Sequence, residues 1–490
     1  MFTLSVLFIP LLGALVAMFA PVQSARGVAL ASAMLTFVVA LFLPFDSGVS
    51  VLWIPGFNTY FELTPAGAAS VLVPVAALVM IPVVLYAGRT LTERPGAFLA
   101  LLLAMQASLN GLFLAKDLVI FYLFWEATLI PSVLMLGIWG GQERRQAAIK
   151  YLLYAVTGSF LMLVAILAIK PLSGAVSYRL EDLLVATPDL ALTTQLWLFV
   201  GFAVAFAVKL PLWPLHSWLP DFHEQNHPSG VADVAGTLYK VGGYGFFAWA
   251  LPLLPDASLV AAPVLLALAA FTALYAAIIA TQQTNLKRLL AFASLSHMGI
   301  VGVGIFGLHV AGLNGAMYLL AAQMVSTGGL FLVGGMLYER RQSFDLSAYG
   351  GLAKSAPALA ALTLFILFTS IGVPGLANFP GEFMSLMGSF QSGEAWVIGW
   401  TVVATLSVIA AGTYGVNMYQ RIYQGEGEPV AELRRLEAVV LVPILAGILW
   451  LGLSPSPQLR RIEVQSQVAL EQLDTFTQPT IPTLVEGDDR

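Results

Sequence analysis

The chain has 490 residues, 59% of them hydrophobic and 10% charged, with a mean hydropathy of +0.85. Charge this far below the roughly 25% of an ordinary soluble domain excludes a soluble enzyme, and a net charge of −5 with a pI near 5.6 excludes a nucleic-acid binder. Without a single cysteine there is no disulfide, thiolate zinc site, iron–sulfur ligand or cysteine nucleophile, so any redox chemistry has to sit in a partner.

Apolar stretches of about 20 residues are the signal for membrane-spanning helices. Fourteen are expected, near 2–20, 27–45, 66–88, 96–115, 117–139, 147–170, 193–220, 230–254, 258–281, 285–308, 312–338, 357–391, 395–422 and 436–454. The first exceeds a signal-peptide core and has no A-x-A-like site behind it, so it reads as a retained span. Longer aqueous pieces are expected only at about 171–192, about 423–435 and beyond 455. Residues 1–455 therefore read as one transmembrane domain. Residues 456–490 read as an extramembrane tail that lies on the surface or is partly disordered.

Lysine and arginine set the orientation. With both termini on the outer side, the inner loops carry 14 basic residues, including Arg144, Arg145, Lys287, Arg288, Arg340 and Arg341, and the outer ones 6. The remaining two, Lys209 and Lys240, fall inside apolar segments.

Two spans carry breaks. AFAVKLPLWPLHSWLPDF (205–222) holds three prolines, and IGVPGLANFPGEF (371–383) holds two prolines and three glycines. Proline removes a helix donor, and irregular backbone at membrane depth is tolerated only where it is buried or lines a wet cavity. The breaks fall in spans 7 and 12, five apart. That spacing predicts an all-α polytopic protein with two inverted five-helix repeats, spans 4–8 (about 96–254) and 9–13 (about 258–422).

An ionisable side chain inside a span costs about 2.5–3.5 kcal/mol on insertion scales, so it has a partner or a task. Glu126 has no basic neighbour within nine positions; it reads as a proton-carrying or lysine-pairing carboxylate, or as a packing one. Lys209 abuts the first break, where it could serve a wet pocket or simply snorkel. Lys240 lies too deep for easy snorkelling. Glu382 follows the second break as the counterpart of Lys209, or as a carboxylate favoured by a helix start. His297 suits a relay between lysine sites, or a satisfied core position. His216 and His223 flank the first break and could extend such a relay toward the inner side. Residues 223–227 spell H-E-x-x-H, but Pro228 biases His227 away from helix, and no third ligand is obvious, though Asp221 or Asp233 could serve; a zinc protease is rejected and no metal is expected. GGYG at 242–245 reads as close helix packing.

FYLFWEATLIPS (121–132), KLPLWPLHSWLPDFH (209–223), LYKVGGYG (238–245), TNLKRLLAFASLSHMG (284–299), LYERRQ (337–342) and NFPGEF (378–383) resemble the proton-translocating, antiporter-like membrane subunits of bacterial respiratory complex I. The resemblance covers about residues 60–425. It is closest to the chain M (chain 4) branch of NADH:quinone oxidoreductase, because Glu382 stands where other branches carry lysine and the chain stops after fourteen spans. The resemblance implies that Glu126 pairs with Lys209, that Lys240 joins two half-channels through His297, and that Glu382 faces the outer exit. It also implies L-type and N-type partner chains in a lipid bilayer, the bacterial inner membrane. NADH, FMN, iron–sulfur clusters and quinone would all be held by partner subunits.

The sequence departs from that pattern in span 11, where Thr327 replaces a histidine beside Ser326, so the relay there leans on water, Ser326, Thr327 and His297. Gln342 replaces a second histidine, and Ala248 an arginine. Two other readings stay open: an Mrp-type cation/proton antiporter subunit, and a structural spacer in the membrane arm.

Overall fold

The computed structural model describes residues 1–238 and 241–477. It is 79% helical. The helices are α1 (Phe2–Phe19), α2 (Val22–Ala40), α3 (Ala69–Thr90), α4 (Pro95–Leu114), α5 (Leu118–Trp139), α6 (Arg144–Ser173), α7 (Leu180–Ala186), α8 (Leu192–Lys209), α9 (Trp218–Gln225), α10 (Val231–Leu238), α11 (Val241–Gly245), α12 (Leu251–Leu253), α13 (Pro255–Thr281), α14 (Leu286–Phe306), α15 (Val310–Arg341), α16 (Leu352–Ser355), α17 (Pro357–Ser370), α18 (Asn378–Phe390), α19 (Ala395–Tyr423), α20 (Arg435–Leu453) and α21 (Ser456–Thr477).

Twelve of these are continuous, apolar and long enough to cross a membrane. The other two expected spans exist in pieces. In the first, the described residues are α10 before residues 239–240 and, after them, α11, a π-helical turn at Phe246–Ala250 and α12. Residues 357–390 form α17 and α18 around an irregular stretch. Both expected breaks are present: α8 stops at Lys209 and the chain resumes as helix at Trp218, and α17 stops at Ser370 and resumes at Asn378. The interruption of the eighth span by a π turn was not foreseen, since nothing in its composition sets it apart from an ordinary apolar helix.

Helices α14 and α15 are the buried centre of the molecule. α13 and α18 pack against them, and α19 packs on α13. The outer faces of the peripheral helices expose large apolar residues, among them Ile130, Trp197, Val264 and Ile409. A soluble protein would not leave these to water; lipid or a neighbouring subunit has to cover them.

One correction to an all-helical reading lies between α2 and α3. Strands β1 (Val49–Ile54) and β2 (Thr59–Leu63) form an antiparallel hairpin with Val49 opposite Leu63. Asp117 fastens it: its Oδ2 accepts from the Tyr60 N–H at 2.9 Å, while Oδ1 caps α5 by accepting from Val119 N–H at 2.9 Å. Arg179 adds an ion pair to Glu62 at 2.6 Å. No sequence signal used above singles this segment out, and the tertiary anchors are what hold it as a hairpin. Residues 456–477, the described part of the tail, are helical as α21. In α21, Ile462, Ser466, Ala469 and Leu473 recur at helical spacing on a buried face, which packs on α15, α13 and α3.

Candidate functional site

The two breaks place the deep ionisable residues in two separate groups. In the first, Lys209 is the last residue of α8 and is buried. Its Nζ donates to Tyr151 Oη at 3.3 Å and to Thr128 Oγ1 at 3.4 Å. Thr128 gives its own proton to the Trp125 carbonyl at 2.7 Å, which leaves its oxygen lone pairs for the ammonium. The rings of Trp125 and Tyr151 lie 5.5 and 5.7 Å away, within cation–π range.

Glu126 is on the same helix as Trp125 and Thr128, but it forms no ion pair with Lys209 in this structure. The helix explains why. Trp125 and Thr128 take the face that meets α8, and Glu126 points about 100° around from Trp125. One Glu126 carboxylate oxygen is buried and without a hydrogen-bond partner. Lys240 lies outside the described residues.

Directly after Lys209 the chain turns irregular. The Trp213 N–H is satisfied by Thr272 Oγ1 at 2.9 Å, and the Trp218 indole N–H by the Val208 carbonyl at 3.1 Å. GGYG packs closely, as expected: a Cβ on Gly242 would collide with the Phe206 carbonyl. His216 is buried edge-on against Tyr275, with ring centroids 5.5 Å apart.

His223 is fully buried in α9, stacked on Phe331 with centroids 4.6 Å apart. Its Nδ1 lies 3.0 Å from Asp233 Oδ1, and Lys287 Nζ lies 2.7 Å from Asp233 Oδ2. In the sequence Asp233 reads as a possible third zinc ligand and Lys287 as an inner-loop charge; no spacing rule links either to His223. α9 ends at Gln225, so His223 and His227 share no helical face, and His227 Nδ1 is taken by Ser229. The described residues contain no cluster of three or more His, Asp or Glu side chains suited to a metal.

The second group forms around the other break. Glu382 enters from the first turns of α18, and His297 from the middle of α14. His297 Nδ1 and Glu382 Oε1 are 3.0 Å apart, and both side chains are buried. The other ring nitrogen, Nε2, is 3.4 Å from Tyr414 Oη of α19. Tyr414 was not singled out from the sequence. Ser326 donates to Asn378 Oδ1 at 3.0 Å, and Asn378 donates to the Ser370 carbonyl at 3.3 Å, which spans the irregular stretch. Thr327 bonds within its own helix, to Gln323. Thus His297 and Glu382 meet, Ser326 braces the break beside them, and Thr327 is turned to a local partner.

The fold has counterparts in known proteins. Residues 115–409 match the family described as NADH:quinone oxidoreductase/Mrp antiporter, transmembrane. The chain is 42% identical to NADH-quinone oxidoreductase subunit 13 of Thermus thermophilus over 463 residues, covering 93% of this chain and 95% of that one. It is 34% identical to NADH-quinone oxidoreductase subunit M of Rhodobacter capsulatus, over 89% of this chain and 88% of that one. A chain of respiratory complex I from Thermus thermophilus superimposes with a TM-score of 0.91 at 38% identity, covering 96% of this chain and all of that one. A chain of the Mrp complex from Dietzia sp. DQ12-45-1b shares the fold, with a TM-score of 0.85 at 22% identity. The chain belongs to the NADH:quinone oxidoreductase/Mrp antiporter family, as an antiporter-like membrane subunit of the complex I type.

Proposed function

We propose that this chain moves protons across the membrane as a membrane-arm subunit of NADH:quinone oxidoreductase, through a relay of Glu126, Lys209, Lys240, His297 and Glu382. The observation that carries the reading is the 3.0 Å contact between His297 and Glu382, buried beside a broken helix. A carboxylate against an imidazole inside a membrane costs solvation energy that a purely apolar pair would not. The two atoms lie within ion-pair distance but are not aligned as a hydrogen bond, so a proton passes between them once the side chains rotate into line. Lys209, at the other break, has two hydroxyls and two aromatic rings around its charge. A carboxylate brought toward it would strengthen its hold on a proton. Formation and release of a Glu126–Lys209 pair is therefore the switch in this reading.

The electrons belong to partner subunits holding NADH, FMN, iron–sulfur clusters and quinone, and the flanking partners are L-type and N-type antiporter-like chains. In the same reading, residues 1–455 make up the membrane domain, with inverted repeats at about 96–254 and 258–422, and both termini lie on the outer side of a bacterial inner membrane. The test is Glu382→Gln in the assembled complex. Protons moved per NADH oxidised should fall in membrane vesicles. An unchanged ratio would make the chain a spacer in the arm.

A further inference from the structure

Helix α2 packs on α3, and at the end of the molecule that carries the arginine-rich loops the two part to leave a groove of about 390 Å³. Its mouth is polar. Gln23 and Arg26 come from the first turns of α2, and Arg89 from the last turn of α3. Its walls are apolar, with Leu30, Val84 and Leu85 deeper in. The helical period sets this order. Leu30 lies one turn below Arg26 on α2, and Leu85 one turn below Arg89 on α3, because α2 enters the membrane at Arg26 and α3 leaves it at Arg89. Small residues keep the groove open: a Cβ on Gly88 would touch Arg26 Cγ at 3.4 Å, and one on Gly27 would meet nothing within 4 Å.

The positive charge in the groove is unanswered. No Asp or Glu lines it. Among the described residues neither Arg26 nor Arg89 has an ion pair, and Arg26 Nε is buried without a hydrogen-bond partner. By contrast Arg288, Arg340, Arg341 and Arg434, at the same end, each pair with a carboxylate. A buried guanidinium nitrogen without an acceptor is costly, and arginine cannot relieve the cost by losing its proton. α2 adds to the imbalance. No side chain caps its N-terminus and its first turn holds no acid, so the positive end of a helix lies at the same mouth.

Below the mouth, Met34 and Val38 follow Leu30 at spacings of four and are half-exposed. Arg26 to Val38 covers about 18 Å of helix, close to the roughly 15 Å of hydrocarbon in one leaflet. The occupant therefore brings negative charge at one end and hydrocarbon along the rest. A free phosphate would leave the apolar strip uncovered.

We propose that this groove holds an anionic phospholipid, its phosphate between Arg26 and Arg89 and one acyl chain along Leu30, Met34 and Val38. A guanidinium offers parallel N–H groups that match phosphate oxygens. Phosphatidylglycerol and cardiolipin carry no cation of their own to oppose the two arginines, whereas phosphatidylcholine does. The site needs only a chain embedded in a bilayer, so it stands or falls separately from the proton-translocating reading.

The experiment uses the whole complex, purified and placed in phosphatidylcholine nanodiscs with a trace of phosphatidylglycerol that carries a photoreactive diazirine on one acyl chain. Cross-linked peptides are mapped by mass spectrometry. Label should concentrate on α2 and α3, and phosphatidylcholine with the same reactive chain should label them much less. Arg26→Gln with Arg89→Gln should lower the phosphatidylglycerol label there by about twenty-five-fold, about fivefold for each arginine lost. Arg26→Lys with Arg89→Lys should keep most of it. Equal labelling by the two lipids, or no loss in the double glutamine variant, overturns the proposal. Label that an excess of inorganic phosphate abolishes also overturns it, since the groove is then a site for free anions. So does a wild-type complex with no label on α2 or α3, where a neighbouring subunit covers the groove instead. Should the double variant fail to assemble, the exposed Arg89 decides: a loss of about fivefold in Arg89→Gln supports the site, and wild-type labelling overturns it.

Discussion

Gly372 and Glu382 occupy one site. Gly372 holds φ at +74°, and a Cβ placed on it would lie inside the van der Waals radius of Glu382 Oε2. The glycine in the second break therefore serves two needs, a left-handed backbone and room for a carboxylate.

It follows that Gly372→Ala should be costly twice over. The positive φ alone is worth about 1 kcal/mol against alanine, and the collision adds to it. The carboxylate has to shift off His297 or the break has to open. Thermal unfolding of the purified complex should show the loss, and protons moved per NADH should fall with it. A wild-type ratio in an assembled Gly372→Ala complex would show that the His297–Glu382 contact is not needed.

Glu126→Gln should separate stability from function. Among the described residues Glu126 makes no ion pair and one of its oxygens has no partner, so the amide should change stability by less than about 0.5 kcal/mol. Proton movement should nevertheless drop, because the switch at Lys209 needs a carboxylate. Assembly, melting temperature and vesicle acidification measured on one preparation would check both halves.

The junction of α15 and α20 rests on a buried ion pair. Arg340 meets Glu437 through two parallel bonds at 2.8 and 2.7 Å, and its remaining hydrogens reach the carbonyls of Met336, Ala431 and Glu432. Glu437→Ala strands a buried guanidinium and should cost about 3–5 kcal/mol. The double replacement Arg340→Met with Glu437→Leu should cost much less. Chemical or thermal unfolding of the three variants tests this, and equal losses in single and double variants would contradict it.

Asp117 gives a pH signature at the mouth of a span, as the cap one residue before α5 begins. Burial pushes its carboxyl from 3.8 up to about 6, against the pull of three backbone N–H groups from Tyr60, Ile120 and Val119. Between those two values the folded chain keeps a proton that the unfolded chain has lost. Stability from this group is therefore complete below pH 3.8 and is lost as pH rises through 6. Asp117→Asn keeps an acceptor for the cap of α5 and should flatten that part of the melting-temperature profile between pH 4 and 7.

Much of the architecture was legible beforehand because lipid leaves a helix few alternatives. Runs of apolar residues gave the spans, prolines and glycines gave both breaks, and the rarity of ionisable groups in apolar segments picked out Lys209, His297 and Glu382. The hairpin at 49–63 was missed because its order comes from Asp117 and Arg179, residues far along the chain. The buried face of α21 was missed because its polar residues outweigh the recurring Ile462, Ala469 and Leu473.

What the sequence settled was where charge sits along the chain and where helices must stop, since both follow from the cost of burying polar groups in hydrocarbon. Which charges face one another was decided only by tertiary packing. Glu126 and Lys209 are a pair that the resemblance implies, but the face of α5 that meets Lys209 carries Trp125 and Thr128. Asp233 and Lys287, 54 positions apart and unremarked, form an ion pair. A side chain's position in sequence fixes its depth in the membrane to within a turn or so, but its partner depends on how each helix is rotated, and rotation is set by packing across many helices at once.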